Sequence, residues 1–225
     1  MDPLDFIFPK RCVGCGNVGK YFCADCWGKI EFVQKPVCPI CQRQAMEGRV
    51  HPGCKTKQGL DGLAVGARYK GAVRAAIAKV KYKFARDLEK VLADILCENL
   101  WRFDLPREFV LVPIPLHKRR QNWRGFNQSE VLVRNLAKKY KVKFADTLIR
   151  VFETKSQVGL KKDERAQNVL GIFRVKSQQG LSLFLGKNVV LVDDVFTSGA
   201  TAQEACKVLK RAGAGEVWAM TVALG

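Results

Sequence analysis

Two adjacent carboxylates follow a short apolar segment near the carboxyl end of the chain. The stretch NVVLVDDVFTSGAT, residues 188 to 201, runs from β-branched residues directly into Asp193 and Asp194. In open parallel sheets, ligands bind beyond the carboxyl ends of the strands, which is where these side chains are expected. Ionised carboxylates only accept hydrogen bonds, so they suit the 2′ and 3′ hydroxyls of a ribose. The alternative interpretation is that one carboxylate caps the next helix while the other ends a solvated strand.

The residues after the carboxylates have the composition of a phosphate-binding loop. Hydroxyls and small residues stand where a helix is expected to begin: Thr197, Ser198, Gly199, Ala200 and Thr201. Backbone N–H groups and the helix dipole converge on an anion at such a position, and glycine allows a close approach of the backbone. Together, the carboxylates and this loop predict a site for a 5′-phosphorylated ribose.

A second set of residues, suited to metal binding, lies at the front of the chain. Four knuckles, each a pair of ligands separated by two residues, supply the candidate ligands Cys12, Cys15, Cys23, Cys26, Cys38, Cys41, His51 and Cys54. Four such ligands close a tetrahedral zinc site, so we expect the first four on one ion and the last four on another. A crossed pairing of the knuckles is the alternative. Because protein ligands complete each shell, both zinc ions are expected to be structural.

The cysteines also bear on the compartment and on the folding of this front part. The amino end has no apolar signal segment, and no apolar run approaches the ~18 residues that a membrane span needs. We therefore expect a cytoplasmic protein without membrane insertion, in whose reducing environment the nine cysteines serve as metal ligands or core residues. A module this small buries little apolar surface, so metal binding is expected to supply most of its folding free energy. Cys97 and Cys206 lie on apolar helical stripes and are expected to pack in the core.

The net charge of +18 is concentrated in the middle of the chain. Residues 68 to 165 hold 24 basic and 11 acidic side chains, a surplus of 13. A surplus of this size favours an anionic partner, either nucleic acid or phosphates, over a neutral one.

Apolar segments of strand length and helix length alternate from residue 63 onwards. Strands are predicted at 63–69, 109–116, 142–145, 171–175, 188–192 and 216–224. The last helix is predicted to end at Gly213, where glycine suits a left-handed backbone. Continuously apolar strands are typical of a parallel sheet covered on both faces, so we predict an α/β fold. A polar connection near residues 56–62 divides the chain into a metal module, 1–58, and a sheet domain, 59–225.

The motif VVLVDDVFTSGAT closely resembles the phosphoribosyl pyrophosphate (PRPP) binding motif of type I phosphoribosyltransferases. The chain as a whole resembles the ComF family, whose members are associated with natural transformation. This resemblance rests on the same motif together with the four knuckles, VPIPLHKRRQNWRGFNQSE at 112–130 and the segment from Gln157 to GIF. Ser198 stands where the family often has a second Thr, and His51 where a Cys is usual. The resemblance implies a double zinc ribbon followed by a type I phosphoribosyltransferase-like parallel sheet flanked by helices.

By resemblance, residues 117–124 face the pyrophosphate of PRPP. Four basic side chains follow a predicted strand and are expected in a loop at the same sheet edge as the two carboxylates: Lys118, Arg119, Arg120 and Arg124. Lys118 and Arg124 are the candidate PRPP ligands among them. Mg²⁺ is expected to bridge phosphate oxygens and ribose hydroxyls, because hard oxygen ligands suit that ion. A solvated run of charge is the alternative interpretation.

Residues 153–168 lack apolar periodicity and are predicted to form a loop. In the resembled enzymes such a loop closes over PRPP and shields the departing pyrophosphate from water. Arg165 is therefore a candidate catalytic residue beside Asp193 and Asp194.

Basic side chains interleaved with aromatic rings predict a surface for single-stranded nucleic acid, because charge follows the phosphates while bases stack on the rings. The candidate DNA contacts are Lys81, Lys83, Arg119, Arg120, Lys161 and Lys162. Such lysines also occur on solvated faces of amphipathic helices, which is the alternative. The resemblance favours DNA, since transformation brings single strands into the cytoplasm.

Three functions are compatible with these patterns. The leading hypothesis is a cytoplasmic protein that binds PRPP, or another ribose 5-phosphate ligand, with Mg²⁺ and acts on or with single-stranded DNA during uptake, alongside other transformation proteins. The second is a nucleic-acid adaptor that keeps the pocket for a nucleotide or a DNA 5′ end and performs no transfer. The third is a salvage transferase that acts on a free base.

Overall fold

The centre of the protein is a four-stranded parallel sheet. The computed structural model describes residues 9–80, 88–153, 167–176 and 184–225. The strands of this part of the chain are β1 (Gly62–Arg68), β2 (Val110–Pro113), β3 (Leu148–Arg150), β4 (Phe173–Val175), β5 (Val189–Phe196) and β6 (Val217–Leu224). The central sheet has the order β1-β6-β5-β2, and all of its neighbouring strands pair in parallel. The prediction of a parallel sheet is thus confirmed.

Helices cover both faces of this sheet, as its continuously apolar strands require. The helices of the described residues are α1 (Ala24–Gly28), α2 (Gly71–Val80), α3 (Leu88–Asn99), α4 (Lys118–Arg124), α5 (Gln128–Tyr140) and α6 (Ala200–Arg211). One face packs on α2, α3 and α5, and the other packs on α6. Cys206 is fully buried in the core between the sheet and α6, and Cys97 is half-buried beside the core on the opposite face. Within the described residues, none of the helices is long and apolar enough to cross a membrane.

Three local predictions differ from the structure. Residues 142–145 do not form a strand, because only Phe144 pairs, through a single bridge to Leu111. The short strand β3, which lies nearby and pairs antiparallel with β4, was not predicted. The basic segment after β2 is the helix α4 rather than a loop, and it ends at Gly125. Gly213 follows α6 with a φ of +86°, as predicted.

The cysteine-rich front part covers the open edge of the central sheet. Its backbone pairs with β1 through a hydrogen bond from Val33 N to Gly66 O (3.0 Å) and another from Arg68 N to Glu31 O (2.8 Å). The buried amide of Asn99 donates to the carbonyls of Val33 and Gly66, which ties both segments to the end of α3. An uncovered edge strand would present unpaired backbone groups to other chains. The front part therefore protects β1 as well as holding the metal ligands.

This contact leads to a prediction for metal removal. Chelation is expected to unfold the front part and to expose β1, so amide exchange should accelerate at Arg68, whose N–H donates to Glu31. The amides of β5 and β6 should stay protected, because those strands pair with neighbours inside the sheet. Hydrogen exchange followed by mass spectrometry, with and without chelator, measures both. Equal loss of protection in all four strands would contradict the prediction.

Candidate functional site

The first four cysteines form one compact cluster. The sulfurs of Cys12, Cys15, Cys23 and Cys26 lie within 4.8 Å of one another. Cys23 Sγ is 3.7 Å from the Sγ atoms of both Cys12 and Cys15. A tetrahedral zinc ion with bonds of ~2.3 Å to sulfur requires sulfur separations of about 3.8 Å. The cluster therefore has the dimensions of a zinc site.

The second cluster joins three cysteines to a histidine. Its members are Cys38, Cys41, His51 and Cys54, again with ligand atoms within 4.8 Å of one another. His51 Nδ1 lies 3.3 Å from Cys41 Sγ, while His51 Nε2 lies 2.9 Å from the carbonyl of Gln44. A proton on Nε2 donated to that carbonyl leaves Nδ1 free to bind a metal, as in many histidine ligands. The structure groups the knuckles in chain order, not in the crossed arrangement.

One thiol in each cluster has a pKa near neutrality. Burial raises the pKa of Cys12, but hydrogen bonds from neighbouring backbone, that of Cys23 above all, lower it to about 6. Hydrogen bonds from Arg43 lower the pKa of Cys41 to about 6. Because zinc binds the thiolate rather than the thiol, each cluster contains a ligand that is ionised at pH 7.

The two carboxylates lie near the carboxyl end of β5, in the middle of the sheet. Asp193 and Asp194 are both half-buried. Asp193 Oδ1 accepts hydrogen bonds from Ser129 Oγ and from the backbone N–H of Asp194, each at 2.9 Å. Asp194 lines a cavity of about 10 Å³ together with buried Glu89. Because Ser129 lies at the start of α5, its hydrogen bond fixes the orientation of the Asp193 carboxylate.

Three buried polar residues at the start of α5 connect the elements around the site. Asn127 caps this helix by accepting a hydrogen bond from Ser129 N (3.2 Å), and its amide donates to Ile114 O just after β2 (3.2 Å). Gln128 accepts a hydrogen bond from Arg124 (3.0 Å), the last residue of α4. These roles were not predicted from the sequence. The signal that could have found them is the capping box Asn127-x-x-Glu130 before an apolar helix.

The predicted phosphate loop joins β5 to the amino end of α6. Gly199 is buried with a φ of +76°, and a Cβ there would lie 2.6 Å from the ring of Phe196. Only glycine is compatible with both constraints. The first N–H groups of α6 have no partner within the helix, which is the arrangement that binds anions in other proteins. Ser198 Oγ accepts a long hydrogen bond from Ala200 N (3.5 Å), and Thr201 lies in the first turn of α6.

The loop also contacts the second metal cluster. The amide of Gln42, next to the ligand Cys41, donates to the carbonyl of Thr197 at 2.6 Å. The two residues are 155 positions apart in the chain. No sequence pattern pointed to this hydrogen bond.

Helix α4 places basic side chains at the same edge of the sheet. Lys118 and Arg119 are exposed, whereas Arg120 and Arg124 are half-buried. Arg119 pairs with Glu153 at 3.3 Å, just after β3. The backbone of His117, which precedes α4, bridges to Arg150 in β3. Helix α4 and strand β3 therefore lie side by side.

Arg150 is a candidate site residue that was not predicted from the sequence. Burial and the positive charge of Arg120 lower the pKa of Arg150, whereas the negative charges of Asp193 and Glu153 raise it. This half-buried guanidinium is thus within electrostatic range of both α4 and the first carboxylate. Its signal in the sequence was weak, because it is a single arginine in a three-residue strand.

Five predicted site residues lie outside the described part of the chain. They are the candidate catalytic residue Arg165 and the candidate DNA contacts Lys81, Lys83, Lys161 and Lys162.

Family models, relatives and a solved structure are similar to this chain. A family model of the double zinc ribbon domain matches residues 3–55, and one of the phosphoribosyl transferase domain matches residues 127–224. Among relatives, competence protein ComFC of Streptococcus pneumoniae is 30% identical over 89% of this chain and 86% of its own length. Competence protein F of Haemophilus influenzae is 28% identical over 93% and 95%. DNA utilization protein YhgH of Salmonella typhi is 29% identical over 82% and 89%.

A solved structure of adenine phosphoribosyltransferase from Leishmania tarentolae also matches, with 18% identity and a TM-score of 0.35 over 64% of this chain and 58% of that chain.

The capping residue of α5 gives a testable prediction. Asn127→Ala removes the helix cap and the hydrogen bond to Ile114, so it should lower the free energy of unfolding by about 1–2 kcal/mol. Urea denaturation measures this change. Asn135→Ala is the matched control, because the amide of Asn135 donates to the Val131 carbonyl of its own helix and caps no helix end. We expect the control to change stability by less than ~0.5 kcal/mol, and equal effects would contradict the prediction.

Proposed function

Because this chain belongs to the ComF family of competence and DNA utilization proteins, we propose that its phosphoribosyltransferase-fold domain binds PRPP with Mg²⁺ and acts on or with single-stranded DNA during natural transformation. We propose the cytoplasm as its compartment, since cysteines that serve as metal ligands or core residues rather than in disulfides are typical of a reducing environment.

The observation that carries the proposal is the meeting of two unlike binding surfaces at one sheet edge. Asp193 and Asp194 supply acceptors for ribose hydroxyls, and the loop at residues 197–201 supplies N–H and hydroxyl donors for a 5′-phosphate. The contact between Ser129 and Asp193 supports this role, because it fixes a carboxylate before any ligand arrives. A phosphorylated ribose is the ligand class that uses both surfaces at once.

Positive charge around the carboxylates supports a pyrophosphate group on the same ligand. Arg150 is within electrostatic range of Arg120 and Asp193, and Arg124 is oriented by Gln128. Guanidinium groups suit phosphate oxygens because they donate in a planar fork. Asp193 and Asp194 offer the hard oxygen atoms that Mg²⁺ prefers, and the ion would supply positive charge that neutralises the pyrophosphate.

The chemistry that this arrangement supports is displacement of pyrophosphate from C1 of the ribose. The bond from C1 to the pyrophosphate oxygen breaks, the electron pair leaves with pyrophosphate, and a nucleophile of the acceptor bonds to C1. The carboxylates would hold the ribose, and the basic side chains of α4 and β3 would stabilise the charge that develops on the leaving group. Arg165 stays a proposed catalytic residue.

Binding of PRPP with Mg²⁺ tests the proposal directly. The double variant Asp193→Asn, Asp194→Asn keeps the acceptor for Ser129 but removes both charges, so affinity should fall by at least about tenfold. Isothermal titration calorimetry measures the change. Asp94→Asn is the matched control, since Asp94 is an exposed carboxylate paired with Lys139 on another surface.

Failure of folded, zinc-loaded wild type to bind PRPP would sink the proposal. In that case a DNA 5′-phosphate or a nucleotide becomes the ligand to test, and the protein would act as an adaptor without transfer.

A basic and aromatic surface beside the site supports the DNA part of the proposal. Trp123 in α4 is 68% exposed, and Phe152 after β3 is 58% exposed. Arg119 lies one helical turn before Trp123 and pairs with Glu153, the neighbour of Phe152. Exposed rings beside guanidinium groups are how proteins stack the bases and neutralise the phosphates of single strands. Arg119 and Arg120, which the sequence predicts as DNA contacts, both lie in α4 beside these rings.

Removal of one ring is expected to weaken DNA binding strongly. Trp123→Ala should lower the affinity for an oligothymidine by about 5- to 100-fold, the range of one lost base stack. Fluorescence anisotropy measures the affinity. The logarithm of the wild-type binding constant should fall by ~0.7 per decade of salt concentration for each phosphate contacted.

Trp101→Ala is the control for this measurement. Trp101 is also exposed, at 74%, and stacks on Arg102. Trp101 follows α3 and is three residues before Asp104. Asp104 pairs with Arg49, and Arg49 also pairs with Glu216, which lies just before β6. Trp101 is thus near the amino ends of the strands, away from the site. Equal losses in both variants, or a flat salt response, would remove this surface from the proposal.

A further inference from the structure

The two metal clusters contain a repeated structural unit with one informative difference. In the first, Cys12 N donates to Asn17 O and residue 16 N donates back to Cys12 O. In the second, Cys38 N donates to Arg43 O and residue 42 N donates back to Cys38 O. Each unit also closes with an antiparallel bridge, between residues 11 and 18 and between residues 37 and 44. Positions 16 and 42 are therefore structurally equivalent.

The equivalent positions carry different residues in the same left-handed conformation. Gly16 has a φ of +82° and is exposed, which suits glycine. Gln42 has a φ of +58° and is half-buried. Among the described residues only three other than glycine have a positive φ, and such a backbone is unfavourable for a residue with a Cβ. The second unit therefore carries a strain that glycine would relieve.

The side chain of Gln42 makes a contact that glycine cannot make. Its amide donates to the carbonyl of Thr197, at 2.6 Å, in the proposed phosphate loop. Because a trans peptide is planar, the carbonyl of Thr197 and the N–H of Ser198 point in opposite directions. A donor that holds this carbonyl on the side of the metal unit keeps the Ser198 N–H turned to the other side. A flipped peptide would instead turn an oxygen towards a bound phosphate.

We infer that Gln42 is a positioning residue for the phosphate loop, and that it makes affinity for a phosphorylated ligand depend on the second metal cluster. The identity of the ligand, PRPP, rests on the proposed function, whereas the effect of Gln42 on the order of the loop does not. Gln42 follows Cys41 directly, so the metal that fixes Cys41 also fixes the base of the side chain. The amide of Gln42 then transmits that position to residues 155 places away.

Three variants separate the hydrogen bond from the strain. Gln42→Met keeps the length of the side chain but removes the donor, and Gln42→Gly removes the donor and relieves the backbone. Gly16→Gln is the matched control, because it places glutamine at the equivalent position of the first unit, away from the loop. Each variant is measured for zinc content, thermal midpoint, amide exchange at residues 196–201 without ligand, and affinity for PRPP with Mg²⁺.

Both substitutions of Gln42 are expected to retain two zinc ions, to accelerate exchange in the loop and to weaken PRPP binding about fivefold, the size of one hydrogen bond. Gln42→Gly should match or exceed the wild-type thermal midpoint. Gly16→Gln should lower the midpoint by about 2–4 °C and leave the loop and PRPP binding unchanged.

Unchanged loop exchange in Gln42→Met would overturn the inference. Loss of zinc from both Gln42 variants would also overturn it, because Gln42 would then serve the metal unit itself. If the wild type does not bind PRPP, the proposed function fails while loop exchange still decides the role of Gln42. The two conclusions can therefore be told apart.

Discussion

The candidate site depends on the parallel pairing of β2 with β5. Parallel strands end at the same edge of a sheet, so the segments that follow them must meet there. The segment after β2 contributes α4 and the start of α5. The carboxyl end of β5 contributes the two carboxylates, and the segment after it contributes the phosphate loop. The hydrogen bond from Ser129 to Asp193 directly links the start of α5 to β5. Because Ser129 is only 1% exposed, water competes little for that bond.

The metal-binding part has a wider structural role than its size suggests. Its backbone covers the edge of β1, its side chains join both cores of the sheet domain, and Gln42 reaches the phosphate loop. The border between the parts is also held firmly, since buried Asp61 accepts hydrogen bonds from Lys210 and from Val217 N. Zinc binding would therefore stabilise the contacts of the front part with the sheet domain, in addition to the small module that carries the metal ligands.

Positive charge and the two carboxylates are arranged around the same sheet edge. Helix α4, which follows β2 at this edge, carries four basic side chains and no acid. Arg150 and Arg120 repel each other, and this repulsion is partly offset by Asp193 and Glu153. An incoming polyanion would relieve it further. This electrostatic feature supports the proposal of an anionic ligand at this edge of the sheet.

Local patterns in the sequence determined the ligand number of the metal clusters, the central strands, the glycine after α6 and the composition of the phosphate loop. Each of these depends on residues a few positions apart, where spacing and backbone preference act directly. Only the tertiary structure decided that the knuckles pair in chain order, that α4 is a helix, that Arg150 lies near Asp193 and that Gln42 supports Thr197. These contacts join segments up to 155 residues apart. Their geometry follows from how the sheet orders its strands and how the metal-binding part packs on it, and no local preference encodes either.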